Sequence, residues 1–181
     1  MKIIICPGIH PQKLTDNFVA NLEIDADFLV LPTQEYLPYS AWDIYRWLEK
    51  QLSDPSQITE NLLFIAFSAG VVGGLGAAIA WQMKVGNIRG FFAIDGWGVP
   101  LVANFPLYRL SHDYFTHWSS AMLGRLKHSF YGDPPVEHLD LWRSPDTAWG
   151  WYVVDNSFKI RCSAATYLQN TIAAEQNLIL D

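Results

Sequence analysis

The stretch Leu62-Leu63-Phe64-Ile65-Ala66-Phe67-Ser68-Ala69-Gly70-Val71-Val72-Gly73-Gly74 decides how this chain folds. Its first half is a continuous apolar run. That is the pattern of a strand buried on both faces, not of a strand with one wet face. Its second half is rich in small residues and predicts a helix over Val71 to Met83. Between the two the chain must turn sharply, with Ser68 at the tip. A serine there has two uses. It can cap the helix that follows, or it can present its hydroxyl as a nucleophile.

The same alternation continues on both sides. Ile3 to Cys6 reads as a buried strand, followed by the turn Pro7-Gly8-Ile9-His10-Pro11. Leu14, Phe18 and Leu22 recur at helical spacing, which predicts a helix over Gln12 to Leu22. Phe28 to Leu31 is a second strand, stopped by Pro32. Ser40 is placed to cap an amphipathic helix that runs to Leu52 and is ended by Ser53-Asp54-Pro55-Ser56. Beyond the central stretch, Ile88 to Ile94 is a strand that leads into Asp95-Gly96. Pro106 to Leu110 is a shorter strand ending at Ser111-His112-Asp113. Tyr114 to Leu126 predicts a helix with Phe115, Trp118, Met122 and Leu126 on one face. Ser129 to Tyr131 is a weak final strand, and Ser163 to Glu175 a last helix with Ala164, Tyr167, Leu168 and Ile172 inward. Strands alternating with helices predict an α/β fold, with a mainly parallel sheet and helices on both faces. No linker or repeat divides the chain, so residues 1–181 are expected to form a single domain.

Composition narrows the function. Half of the 181 residues are hydrophobic, 17% are charged and the formal net charge is −6. With no Lys/Arg run, nucleic acid is not an expected partner. The apolar start before Pro7-Gly8 is too short for a signal-peptide core, and no later stretch reaches membrane-spanning length. Cys6 and Cys162 are far apart in the chain, which suits two reduced thiols in a cytoplasmic protein. Five His and two Cys lack zinc-type spacing, and the glycines over Gly70 to Gly76 lack the spacing of a phosphate or dinucleotide loop. Neither a metal nor a cofactor is expected.

In parallel sheets, sites lie at the carboxyl ends of the strands. Four features fall there: the Gly8-Ile9-His10 loop, Ser68, the Asp95 loop and Ser111-His112-Asp113. Ala66-Phe67-Ser68-Ala69-Gly70 resembles the nucleophile elbow of α/β-hydrolases, whose pattern is Gly-x-Ser-x-Gly. Ala66 stands where the family has its first glycine, the mildest departure in size. The resemblance extends to element order over nearly the whole chain. It implies a compact three-layer sandwich without a large cap domain, and a serine hydrolase acting on an ester or thioester through an acyl-enzyme.

Carried over residue by residue, the resemblance makes Ser68 the nucleophile, Asp113 the acid and His138 the base after the last strand. It makes the backbone N–H groups of Ile9 and Ala69 the oxyanion donors. Alternatives stay open at each partner. Asp95 is a rival acid and Asp113 an ordinary helix cap. His117 and His112 are rival bases, and Glu137 to Leu141 can also alternate as an edge strand with His138 merely exposed. His10, Trp97 and Trp142 are candidates to line an apolar substrate pocket, and Leu139 to Trp151 is a loop able to cover it. The competing expectation is a noncatalytic protein of the same fold that binds an apolar ligand or a partner. The natural substrate and the oligomeric state are not legible in the sequence.

Overall fold

The computed structural model of the chain describes residues 1–53, 60–124, 126, 128–154 and 158–177. Asp54-Pro55-Ser56, expected to end a helix, lie outside them. In chain order the elements are β1 (Lys2–Cys6), α1 (Gln12–Asn21), β2 (Asp27–Val30), α2 (Ala41–Gln51), β3 (Leu62–Phe67), α3 (Ala69–Lys84), β4 (Ile88–Ile94), β5 (Leu107–Ser111), α4 (Tyr114–Ala121), β6 (Ser129–Gly132), α5 (His138–Arg143), β7 (Trp149–Val153), β8 (Lys159–Ser163) and α6 (Ala164–Asn177). This is an α/β fold with mostly parallel strand pairs. The chain packs as two compact units. One comprises Met1–Ile9 and Ala26–Leu107, the other His10–Asp25 and Tyr108–Asp181.

In the first unit, β1 pairs in parallel with both β2 and β3, and β3 pairs in parallel with β4. Every residue of β1 and β3 is buried, and apart from Lys2 both read as unbroken apolar runs. Ser40 caps α2 as expected, its Oγ accepting the N–H of Asp43 at 3.2 Å. The small residues of α3 have a packing cause. A Cβ on Gly73 would fall 2.3 Å from the carbonyl oxygen of Pro38, so only glycine lets α3 lie against the chain that leads into α2.

In the second unit, β5 pairs in parallel with β6, and β6, β7 and β8 are antiparallel. The sequence reading took β6 as the last strand and the Trp-rich segment as a loop; instead two further strands follow. In β8, Lys159 and Arg161 alternate with Ile160 and Cys162, the period-two signature of a half-covered strand. The strands carry helices on both faces. On one, Tyr167 of α6 stacks on Phe130 at 5.8 Å and meets Tyr152 at 4.9 Å. On the other, His117 of α4 lies 5.0 Å from the ring of Tyr131. Residues 130 and 131 point to opposite faces, as strand geometry requires.

Two helices differ from expectation. α4 ends at Ala121, short of Leu126, and Phe115, Trp118 and Met122 are exposed. Its buried positions are Thr116 and Ser120, so α4 packs through its polar edge. Glu137 to Leu141 form no edge strand; Glu137 precedes the short helix α5.

Trp142, on α5, is fully buried. Its ring stacks on Phe18 of α1 at 3.7 Å and its Nε1–H donates to Thr15 Oγ1 at 3.3 Å. Trp142→Phe keeps the stack, removes that donor and leaves a small void. The expected loss is about 1–2 kcal/mol, read from urea denaturation midpoints.

Candidate active site

Ser68 is one of two described non-glycine residues, with Asp95, at which the first unit takes a positive φ. Its backbone has φ 53° and ψ −121°, a region that suits glycine and costs other residues roughly 1–3 kcal/mol. The surroundings hold it there. Its N–H donates to the Ile94 carbonyl at 2.9 Å and its carbonyl accepts from Val71 at 3.0 Å. Gly70 makes the turn sterically possible: a Cβ there would lie 2.2 Å from the Cys6 carbonyl oxygen and 2.5 Å from that of Pro7. The side chain of Ser68 does not cap α3. Ser68 is partly exposed at the carboxyl end of β3.

Ala66 fits without strain. It is fully buried, and a Cβ on Gly74 would sit 3.4 Å from the Cβ of Ala66. The helix glycine therefore leaves the room that alanine uses.

The loop after β1 lies against this turn. A Cβ on Gly8 would be 3.0 Å from the Cβ of Ser68. Among the described residues, the N–H groups of Ile9 and Ala69 make no hydrogen bond. Asp95 follows β4, the strand paired with β3 up to Phe67 and Ile94. It is 6% exposed and holds a positive φ of 50°. Next to it, a Cβ on Gly96 would collide with Val71 at 2.6 Å, which fixes the Asp95 loop against the first turn of α3. Trp97 is exposed. Ser68, Ile9, Ala69 and Asp95 thus share the carboxyl edge of one parallel sheet.

The other candidates belong to the second unit. Asp113 caps α4: its Oδ1 accepts the Thr116 N–H at 2.7 Å. Its Oδ2 is 3.7 Å from His112 Nε2. The cap occupies one carboxylate oxygen. His112 and His138 meet edge to face at 6.1 Å. His10 stands 6.1 Å from the Trp142 ring, and its Nδ1 is 3.1 Å from the Pro11 carbonyl oxygen. Burial lowers the pKa of His10, the Pro11 carbonyl raises it, and His138 lowers it again. Three histidines from distant parts of the chain therefore gather in one place, a grouping that no local pattern announces. Trp142, expected at a pocket wall, is instead core.

His117 is on α4, where its ring meets Tyr131 of β6. Burial, then Arg109 and Lys159, push its pKa from 6.5 down to about 4. A base that weak is far from the value near 7 that favours proton abstraction at neutral pH. The depression also has a sign for stability. The unfolded chain binds the proton first, so this contribution is complete above pH 6.5 and is lost as pH falls toward 4. Wild type is expected to lose more stability than His117→Gln across that window, measured by urea denaturation at each pH.

The sequence matches no protein-family model and no curated protein. Whatever this protein does must be read from its own side chains. Among the described residues no helix is long and apolar enough to cross a membrane.

Proposed function

We infer that the protein is a serine hydrolase that cleaves a carboxylic ester or thioester with an apolar acyl or alcohol group, through an acyl-enzyme on Ser68. The observation that carries this reading is the strained backbone of Ser68. A serine needed only as a cap would adopt an extended conformation and accept an N–H from the helix. Ser68 does neither, and strain of this kind persists where geometry at a reacting atom matters.

The steps follow from the parts. The Ser68 hydroxyl attacks the carbonyl carbon while a histidine takes its proton. The N–H groups of Ile9 and Ala69 receive the negative charge that develops on the carbonyl oxygen. The tetrahedral intermediate collapses, the alcohol or thiol leaves with the proton, and water releases the acid by the same sequence. His138 is the preferred base and His112 its rival; the low pKa of His117 speaks against that residue. For the acid, Asp113, one oxygen of which caps α4, and Asp95 are the two candidates. The substrate is a small apolar ester or acyl compound, and the reaction requires no cofactor.

A fluorophosphonate probe tests the reading. It is expected to label the wild-type protein and to leave Ser68→Ala unlabelled. Well-folded wild type that takes no label and hydrolyses no aryl ester would sink the proposal.

A further inference from the structure

The buried polar side chains of this protein are not scattered. Ten polar or charged residues are buried among those described, and five of them, Arg109, Ser111, Thr116, Ser120 and Ser129, belong to β5, β6 and α4. The strand register explains their meeting. Arg109 pairs with Ser129 and Ser111 with Tyr131, so these four side chains share the face on which His117 rests. Through the β6–β7 and β7–β8 ladders, Lys159 takes the same face in the row of Arg109.

Two cations and an imidazole meet on that face, with no counter-charge among the described residues. Arg109 is 6% exposed; its Nη1 donates to the Gly124 carbonyl at 3.0 Å, while Nη2 is buried with no partner among the described residues. The Nδ1 of His117 is also buried, again with no partner among the described residues. Lys159 Nζ donates to the Tyr131 hydroxyl at 2.9 Å and lies 5.1 Å from the centre of that ring. His117 feels the positive charge of both Arg109 and Lys159. Among the described residues, no carboxylate stands within ion-pair distance of any of the three. Asp133, on the same side of the unit, is engaged by Trp151 and Arg161.

A guanidinium buried with no anion is a costly arrangement, and removing one partner of a buried pair leaves just such a group. The unmet Nη2, the Lys159 ammonium and the neutral imidazole of His117 supply what an oxyanion needs. The guanidinium fork matches carboxylate or phosphate, and flanking donors take the remaining oxygens. We propose that the face beneath α4, formed by Arg109, His117, Tyr131 and Lys159, is a binding site for a phosphate or carboxylate group of a small ligand. The polar inner edge of α4 belongs to this site, since Thr116 and Ser120 add hydroxyls where a packing helix would ordinarily bring apolar residues. The site is independent of Ser68.

The intact protein tests it in two arms, inorganic phosphate and acetate, each against sodium chloride at matched ionic strength and pH. Thermal denaturation and the ring resonances of His117 are followed as the anion is added. The expected result is a saturable rise in melting temperature with at least one of the two anions, accompanied by a shift of the His117 resonances. The arm that responds names the group. Lys159→Gln, at an exposed position that folding tolerates, is expected to weaken the response about tenfold, as loss of a charge-assisted contact does. Arg109→Gln is expected to abolish it. No saturable response to either anion, or a response equal to that of chloride, would overturn the proposal. So would an unchanged response in Lys159→Gln. Fluorophosphonate labelling of Ser68 in the same samples is expected to be unaltered by Lys159→Gln, which keeps the outcome separate from that of the hydrolase reading.

Discussion

Replacing Ser68 by alanine is expected to remove ester hydrolysis by a factor on the order of 10³ to 10⁶ while leaving the fold intact. The nucleophile forms the bond that divides the reaction, so no other group makes up its loss. The residual rate is set by binding and by the oxyanion donors alone. Stability gives this prediction a second arm. Alanine retains a Cβ and inherits the backbone strain at φ 53°, whereas glycine does not. Ser68→Gly is therefore expected to be inactive yet more stable than wild type by about 1 kcal/mol. Gain of stability with loss of activity at one position is the mark of strain kept for function. Melting curves and initial rates on an aryl ester measure both arms, and a Ser68→Gly protein less stable than wild type would remove the strain argument.

Gly70→Ala is expected to cost about 3 kcal/mol or more, the upper end of overpacking. The added Cβ would meet the Cys6 and Pro7 carbonyl oxygens at 2.2 and 2.5 Å. Neither is the end of a flexible side chain that can swing aside. β1 would have to shift against β3, where Cys6 pairs with Ala66. The same shift would move the loop bearing Ile9 from Ser68. Activity should fall beyond what the remaining folded fraction explains. Denaturant titration gives the stability, and the rate per folded molecule gives the rest.

The first unit was largely legible in the sequence because its signals are local. β1 and β3 are buried on both faces, so Ile3 to Cys6 and Leu62 to Phe67 are unbroken apolar runs. The turn at Ser68 sits between such a run and a row of small residues. A parallel sheet then brings Gly8-Ile9, Ser68 and Asp95 to one edge without further information. The second unit was read less well for physical reasons. In α4 the apolar residues Phe115, Trp118 and Met122 face outward, because the helix packs on a polar face through Thr116 and Ser120. Periodicity marks the stripe but not the side that is covered. Trp149 and Trp151 were read as loop aromatics, yet they belong to β7, whose partner strand carries charges. Asp113 was weighed as acid or as cap, and its hydrogen bond to Thr116 is the cap. The gathering of His10, His112 and His138 rests on tertiary contact alone, and nothing within a few residues of any of them encodes it.

The pairing of α1 with α5 bears on how the protein is made. Thr15 and Trp142 touch across 127 residues of chain. During synthesis Phe18 emerges well before the ring that stacks on it. At about 5–20 residues per second, α1 waits roughly 6–25 s for Trp142. Through that interval an apolar helix face is on offer to whatever meets the nascent chain, so the second unit closes only after α5 has been made.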